Sequence, residues 1–78
     1  MSKKLKRIEN ILRKNWWKAR PIYEGRRYIV RLVRKWRQRL AIYEEFLIID
    51  KKTGAKYKGT VWSRPNIYYR HYDIERIR

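Results

Sequence analysis

The chain has 78 residues and a formal net charge of +16, from 23 Lys and Arg against 7 Asp and Glu. A chain of this length buries only about 60% of its unfolded surface, which fits one domain of modest stability. The absence of cysteine excludes a disulfide framework and thiolate zinc sites. The longest apolar run, Phe46-Leu47-Ile48-Ile49, falls far short of the roughly 18 residues that a membrane span needs. The basic N-terminus lacks the apolar block of a secretory signal, so the mature protein is expected to begin at or next to Met1 and to be cytoplasmic. With 44% hydrophobic and 15% aromatic residues, the chain carries more apolar material than a disordered basic tail, and a folded module is expected.

Taken in chain order, residues 2–19 place Leu5, Ile8, Leu12, Trp16 and Ala19 on one side of a helix and Lys3, Lys6, Arg7, Arg13, Lys14 and Lys18 on the other. Ser2 is a suitable N-cap and Pro21 a stop. A loop through Gly25 leads to a second basic stretch, 26–43. There Ile29, Leu32, Val33, Trp36, Leu40 and Tyr43 share a helical face opposite Arg27, Arg31, Arg34 and Gln38, whereas strict strand alternation mixes Arg with apolar residues on both faces. The period predicts a helix, despite three β-branched residues. Next, EEFLIID and AKYKGTVW flank Lys51-Lys52-Thr53-Gly54 and predict a hairpin over 45–62, with Asp50 starting the turn and Gly54 in the left-handed position. Phe46, Ile48 and Asp50 would face one way and Leu47 and Ile49 the other; Tyr57, Gly59 and Val61 would oppose Lys56, Lys58, Thr60 and Trp62.

The expected fold class is therefore α+β: two basic amphipathic helices packed on a β-hairpin in a single domain, 1–66, with a C-terminal arm, 67–78. The arm contains Tyr68, Tyr69, Arg70, His71 and Tyr72. It reads either as a segment that orders in an RNA crevice or as a strand or short helix docked back through Ile67, Tyr69, Ile74 and Ile77.

Charge points to the function. Residues 1–20 hold 8 basic and 1 acidic residue, and residues 21–43 hold 7 and 1. Like charges three and four apart, such as Lys3 with Arg7 or Arg27 with Arg31, each cost a few tenths of a kcal/mol in an isolated helix. Phosphates lying against both helices would offset that cost. Arg27, Arg31, Arg34, Lys35 and Arg37, with the cations of the first helix, are the expected phosphate ligands. Trp17, turned away from Trp16, either packs under the Ile22–Tyr23 loop or offers a stacking face for an unpaired base. Trp36 and Trp62 read as core or hairpin residues. Tyr68, Tyr69, His71 and Tyr72 are the remaining candidates for stacking or hydrogen bonding.

Catalysis finds no support. His71 stands without a metal or triad cluster, Glu44 and Glu45 point to opposite faces of a strand, and the three glycines form no phosphate loop. No cofactor, metal or small-molecule substrate is expected. Folded RNA, ribosomal RNA first, is the expected partner, together with neighbouring ribonucleoprotein subunits. Duplex DNA comes second, with Arg27, Arg31, Arg34 and Gln38 as a row for the major groove, and an anionic membrane surface third. Low Cys, Met and Gln beside abundant Arg, Lys, Ile and Tyr lean towards a thermophilic source. In this composition the chain is similar in type to the small basic proteins of archaeal ribosomes and to DNA-binding proteins of archaeal viruses.

Overall fold

The computed structural model describes residues 3–64 and 70–77. Helix α1 (Lys3–Asn15) is followed by five strands, β1 (Ile22–Glu24), β2 (Tyr28–Gln38), β3 (Ala41–Asp50), β4 (Lys56–Ser63) and β5 (His71–Ile77). They form one antiparallel sheet in the order β1-β2-β3-β4-β5, so each strand pairs with its chain neighbours. The two-helix expectation is thus overturned: the stretch 26–43 is β2, a tight turn and the start of β3.

A single feature explains why the period misled. Pairing of β2 with β3 shifts between Leu32 and Arg34, leaving Val33 as the unopposed residue of a β-bulge. Before the bulge, Tyr28, Val30 and Leu32 point to the core. After it the phase reverses, and Arg34 and Trp36 point away from the core, opposite Glu45 and Tyr43. One extra residue therefore placed Arg and apolar side chains on both faces of an unbroken alternation. The β-branched Ile29, Val30 and Val33, with Tyr28 and Trp36, suit the pleated surface better than a helix. A two-residue turn, Arg39-Leu40, joins β2 to β3, and Arg39 takes a left-handed φ of 55°.

The first helix is shorter than its hydrophobic stripe suggested. It ends at Asn15, whose side-chain amide donates back to the Ile11 carbonyl at 2.8 Å. The amides of Lys18 and Ala19 then close on the Asn15 carbonyl, each at 3.0 Å. Residues 16–18 form turns ahead of Pro21.

The core lies between α1 and one face of the sheet. Ile8 and Leu12 are buried against a cluster that includes Val30, Phe46, Ile48, Tyr57, Val61 and Ile74. The helix packs on β4 and β5, and Gly59 permits that approach. A Cβ built there would stand 2.6 Å from Leu12 Cδ2, 3.1 Å from Ile48 Cδ1 and 3.2 Å from Ile74 Cδ1. The C-terminal segment is likewise not a free arm. Residues 71–77 pair along β4 from Trp62↔His71 to Lys56↔Ile77, and Ile74 enters the core.

The β3–β4 hairpin has the expected faces and turn. Phe46, Ile48 and Asp50 alternate inward, and Gly54 has a φ of 77°. Asp50 is buried and organises the turn. Its carboxylate accepts from Arg27 Nε at 3.3 Å, Arg27 Nη2 at 3.1 Å and the Lys52 amide at 2.9 Å. Its backbone carbonyl accepts from the Gly54 amide at 2.7 Å. The Arg27 hydrogen bonds hold the Asp50 carboxyl at about 2, below its ordinary 3.8. A depressed folded-state pKa adds stability that is fully present above about pH 4 and lost as the pH falls towards about 2. Asp50→Asn is therefore expected to flatten the acid limb of the stability curve across that window. Acid titration of wild type and variant by circular dichroism measures this, and identical acid limbs would contradict the assignment.

Candidate nucleic-acid interface

The sheet has a covered face, under α1, and an open face, and the two differ in charge. On the covered side, the outer surface of α1 presents Lys3, Lys4, Lys6, Arg7, Arg13 and Lys14, all exposed. The helix has one acid, Glu9, and Arg13 lies 3.4 Å from it. Lys4 belongs with the predicted cations although it was not singled out in the sequence. At the start of the helix, Lys3, Lys4 and Arg7 share a cleft of about 260 Å³ with Arg27 and Tyr28 of the sheet side. At its end, Trp17 is 57% exposed, and the Lys18 ammonium stands 5.2 Å from its ring and 5.5 Å from that of Tyr23. Trp17 thus keeps most of its surface in water.

The cations of 26–43 do not form one row. Arg27 is tied to Asp50, with Nη2 to Oδ2 at 3.1 Å, and Arg34 to Glu45 at 3.2 Å. Arg31 and Arg34 lie on the open face by register, whereas Lys35 pairs opposite Glu44 and Arg37 opposite Ile42, on the side of the sheet that α1 occupies. Lys35 and Arg37 are exposed there. Of the row expected for a major groove, Arg31, Arg34 and Gln38 share the open face by register but lie on a strand rather than a helix, and Arg27 and Arg34 already serve carboxylates.

Other cations brace the inner edge of the sheet. Arg20 reaches the buried Glu44, donating to Oε1 at 3.0 Å and approaching Oε2 at 2.8 Å in an ion-pair contact. The Trp16 ring lies beneath both Arg20, at 5.1 Å, and Arg70, at 4.4 Å. Arg13 covers Tyr72 at 4.2 Å, so Tyr72 is half-buried on the helix side. Tyr68 and Tyr69 lie outside the described residues.

On the open face, four rings form a ladder across four strands. Trp36 stacks on Tyr43 at 5.3 Å, Tyr43 on Trp62 at 6.0 Å, and Trp62 on His71 at 4.0 Å. Arg34 lies over Trp36 at 4.3 Å. These separations bracket the 4.7–4.9 Å spacing of neighbouring strands, as cross-strand pairs require. Each inner ring thus spends its faces on its neighbours, so the ladder stiffens the sheet more than it offers stacking surfaces. His71, predicted as a base-contacting residue, is its fourth rung.

The rest of the open face is electrically balanced. By register it carries Arg31, Arg34, Lys56 and Lys58 against Glu24, Glu45, Asp73 and Glu75. The positive field therefore belongs to the helix side. Among the described residues no group of acidic and histidine side chains is arranged to hold a metal, and no helix is long and apolar enough to cross a membrane. No protein-family model, curated protein or solved structure matches the chain.

Proposed function

We propose that the chain binds RNA as a structural component of a ribonucleoprotein, through the outer face of α1 and the turn that follows it. The observation that carries this reading is the one-sided surface: six exposed cations on a 13-residue helix, a single acid among them, and the exposed Trp17 at its end. Uncompensated cations at this density repel one another in the free protein and are relieved by phosphates. An exposed indole beside lysines adds stacking to that attraction, which suits unpaired bases in folded RNA. Lys35, Arg37 and Arg70 extend the contact on the same side. Ribosomal RNA in the cytoplasm is the target class we favour.

Duplex DNA is the weaker reading, because the row expected to enter a major groove lies on a strand rather than a helix and two of its four members are tied to carboxylates. Sedimentation of the tagged protein from its native cells, after RNase or DNase treatment, separates the two. Release by RNase alone supports the proposal; release by DNase alone overturns it. A second expectation concerns Trp17. Trp17→Ala should weaken binding to RNA with unpaired loops by about 1–3 kcal/mol, or roughly 5- to 150-fold. Binding to a perfect duplex should change little. Equal losses on the two RNAs, measured by fluorescence anisotropy, would remove the stacking role.

A further inference from the structure

From the open face of the sheet we infer that two copies of this chain pack face to face, about a two-fold axis that runs along the strands between β3 and β4. The charge pattern of that face selects both the occupant and the axis. Register sets three rows across the strands beyond the aromatic ladder. The first is Arg34, Glu45, Thr60 and Asp73; the second is Arg31, Leu47, Lys58 and Glu75; the third is Ile29, Ile49, Lys56 and Ile77. The β2 end of the first two rows is cationic and the β5 end acidic. Strands β2 and β5 lie equally far from the line between β3 and β4.

Rotation about that line lays β2 of one copy on β5 of the other. Arg34 then meets Asp73, Arg31 meets Glu75 and Ile29 meets Ile77. In the middle, Leu47 and Ile49 lie against the aliphatic stems of Lys58 and Lys56, which long basic side chains provide readily. Aligned sheets pack about 10 Å apart with strands rotated by roughly 30°, a gap that arginine and glutamate span. An axis across the strands would instead set Arg31 against Arg34 and Asp73 against Glu75, so the pattern favours the axis along the strands.

Two further observations agree. Six of the seven acids each contact a cation within the chain. Asp73 has no ion pair among the described residues, and it sits where Arg34 of a second copy would arrive. The face also leaves apolar surface in water at its margins, with Ile22 53% and Ile77 41% exposed. This balanced face is where a +16 chain meets its own copy at least electrostatic cost. Four acids make the same face a poor seat for phosphate.

The test is sedimentation equilibrium of the full chain without nucleic acid, in salt high enough to screen the helix sides. The expected result is a monomer–dimer equilibrium reaching twice the 9.9 kDa chain mass. Two double variants follow, R31E/R34E and D73K/E75K, with folding verified by circular dichroism. Each should raise the dimer dissociation constant about tenfold or more. Mixed together they should restore the dimer, because each then offers the charge that the other lacks. R31E/R34E is decisive, since it lowers net charge: if overall repulsion alone governed association, this variant would dimerise better than wild type. The single changes Asp73→Lys and Arg34→Glu, mixed in the same way, serve if a double variant fails to fold.

A chain that stays monomeric up to the highest clear concentration overturns the inference. So does a dimer unchanged in both variants, which would place the contact elsewhere, such as the β5 edge. Since nucleic acid is absent, the result is independent of whether α1 binds RNA.

Discussion

Changing Lys3, Lys6, Arg7 and Lys14 together to glutamine is expected to lower RNA affinity about a hundredfold near physiological salt and to reduce the slope of log K against log salt by about 3. The slope follows from four lost phosphate contacts, each releasing roughly 0.7 counterions on a single-stranded target. None of the four makes an ion pair among the described residues, so the fold loses no salt bridge. Removing the repulsion between Lys3 and Arg7, four residues apart, should leave the melting temperature unchanged or slightly raised. Lys56→Gln with Lys58→Gln, on the balanced open face, is the control and should leave the slope nearly unaltered. A common loss for helix and open-face variants would mean that no one face binds. Anisotropy titrations at four or more salt concentrations give both quantities.

The second large effect lies in the core. Leu12 is fully buried, and Leu12→Ala should cost about 2–5 kcal/mol, a large part of the stability of a domain this small. Gly59→Ala alone should also destabilise, by about 1–3 kcal/mol, because its new Cβ falls 2.6 Å from Leu12 Cδ2. In the double variant that methyl is gone and the alanine at 59 enters the space it left. The two changes should therefore cost less together than their sum, with a favourable coupling of about 0.5–3 kcal/mol in urea denaturation. Simple additivity would show that the helix does not approach the sheet at Gly59.

Comparison of particular elements explains what was legible in the sequence. The β3–β4 hairpin was readable because its signals are local: Asp50 and Gly54 fix the turn, and alternation through Phe46 and Ile48 is uninterrupted. Helix α1 was readable from its stripe, though its end was not, since the Asn15 amide bonding to Ile11 is a cap that periodicity does not register. Strand β2 was misread because the Val33 bulge reverses the phase halfway along it. A signal was nevertheless present: Trp36 and Tyr43 stand symmetrically about Arg39-Leu40, as cross-strand partners of a two-residue hairpin must. Among the predicted contact residues, the exposed cations of α1 and Trp17 lie together. Arg27, Arg34 and His71 were named from chemistry alone, and their partners Asp50, Glu45 and Trp62 are supplied by strands distant in sequence or by register. Such pairings are tertiary facts with no local trace.

The sheet is a simple meander, yet the first element of the chain is packed on the last two strands. During synthesis, the β1–β3 pairs can form as they emerge, each closing a short loop. Helix α1 packs chiefly on β4 and β5, the last strands to emerge. Ile8 and Leu12 complete their packing only with β4 and β5, and a 13-residue helix bearing like charges is marginal by itself in water. The cationic segment therefore has its full packing support only when strand β5 is in place. A nascent or truncated chain lacking 71–77 would leave that helix without its most extensive sheet contact, so strand β5 completes the surface on which the proposed binding depends.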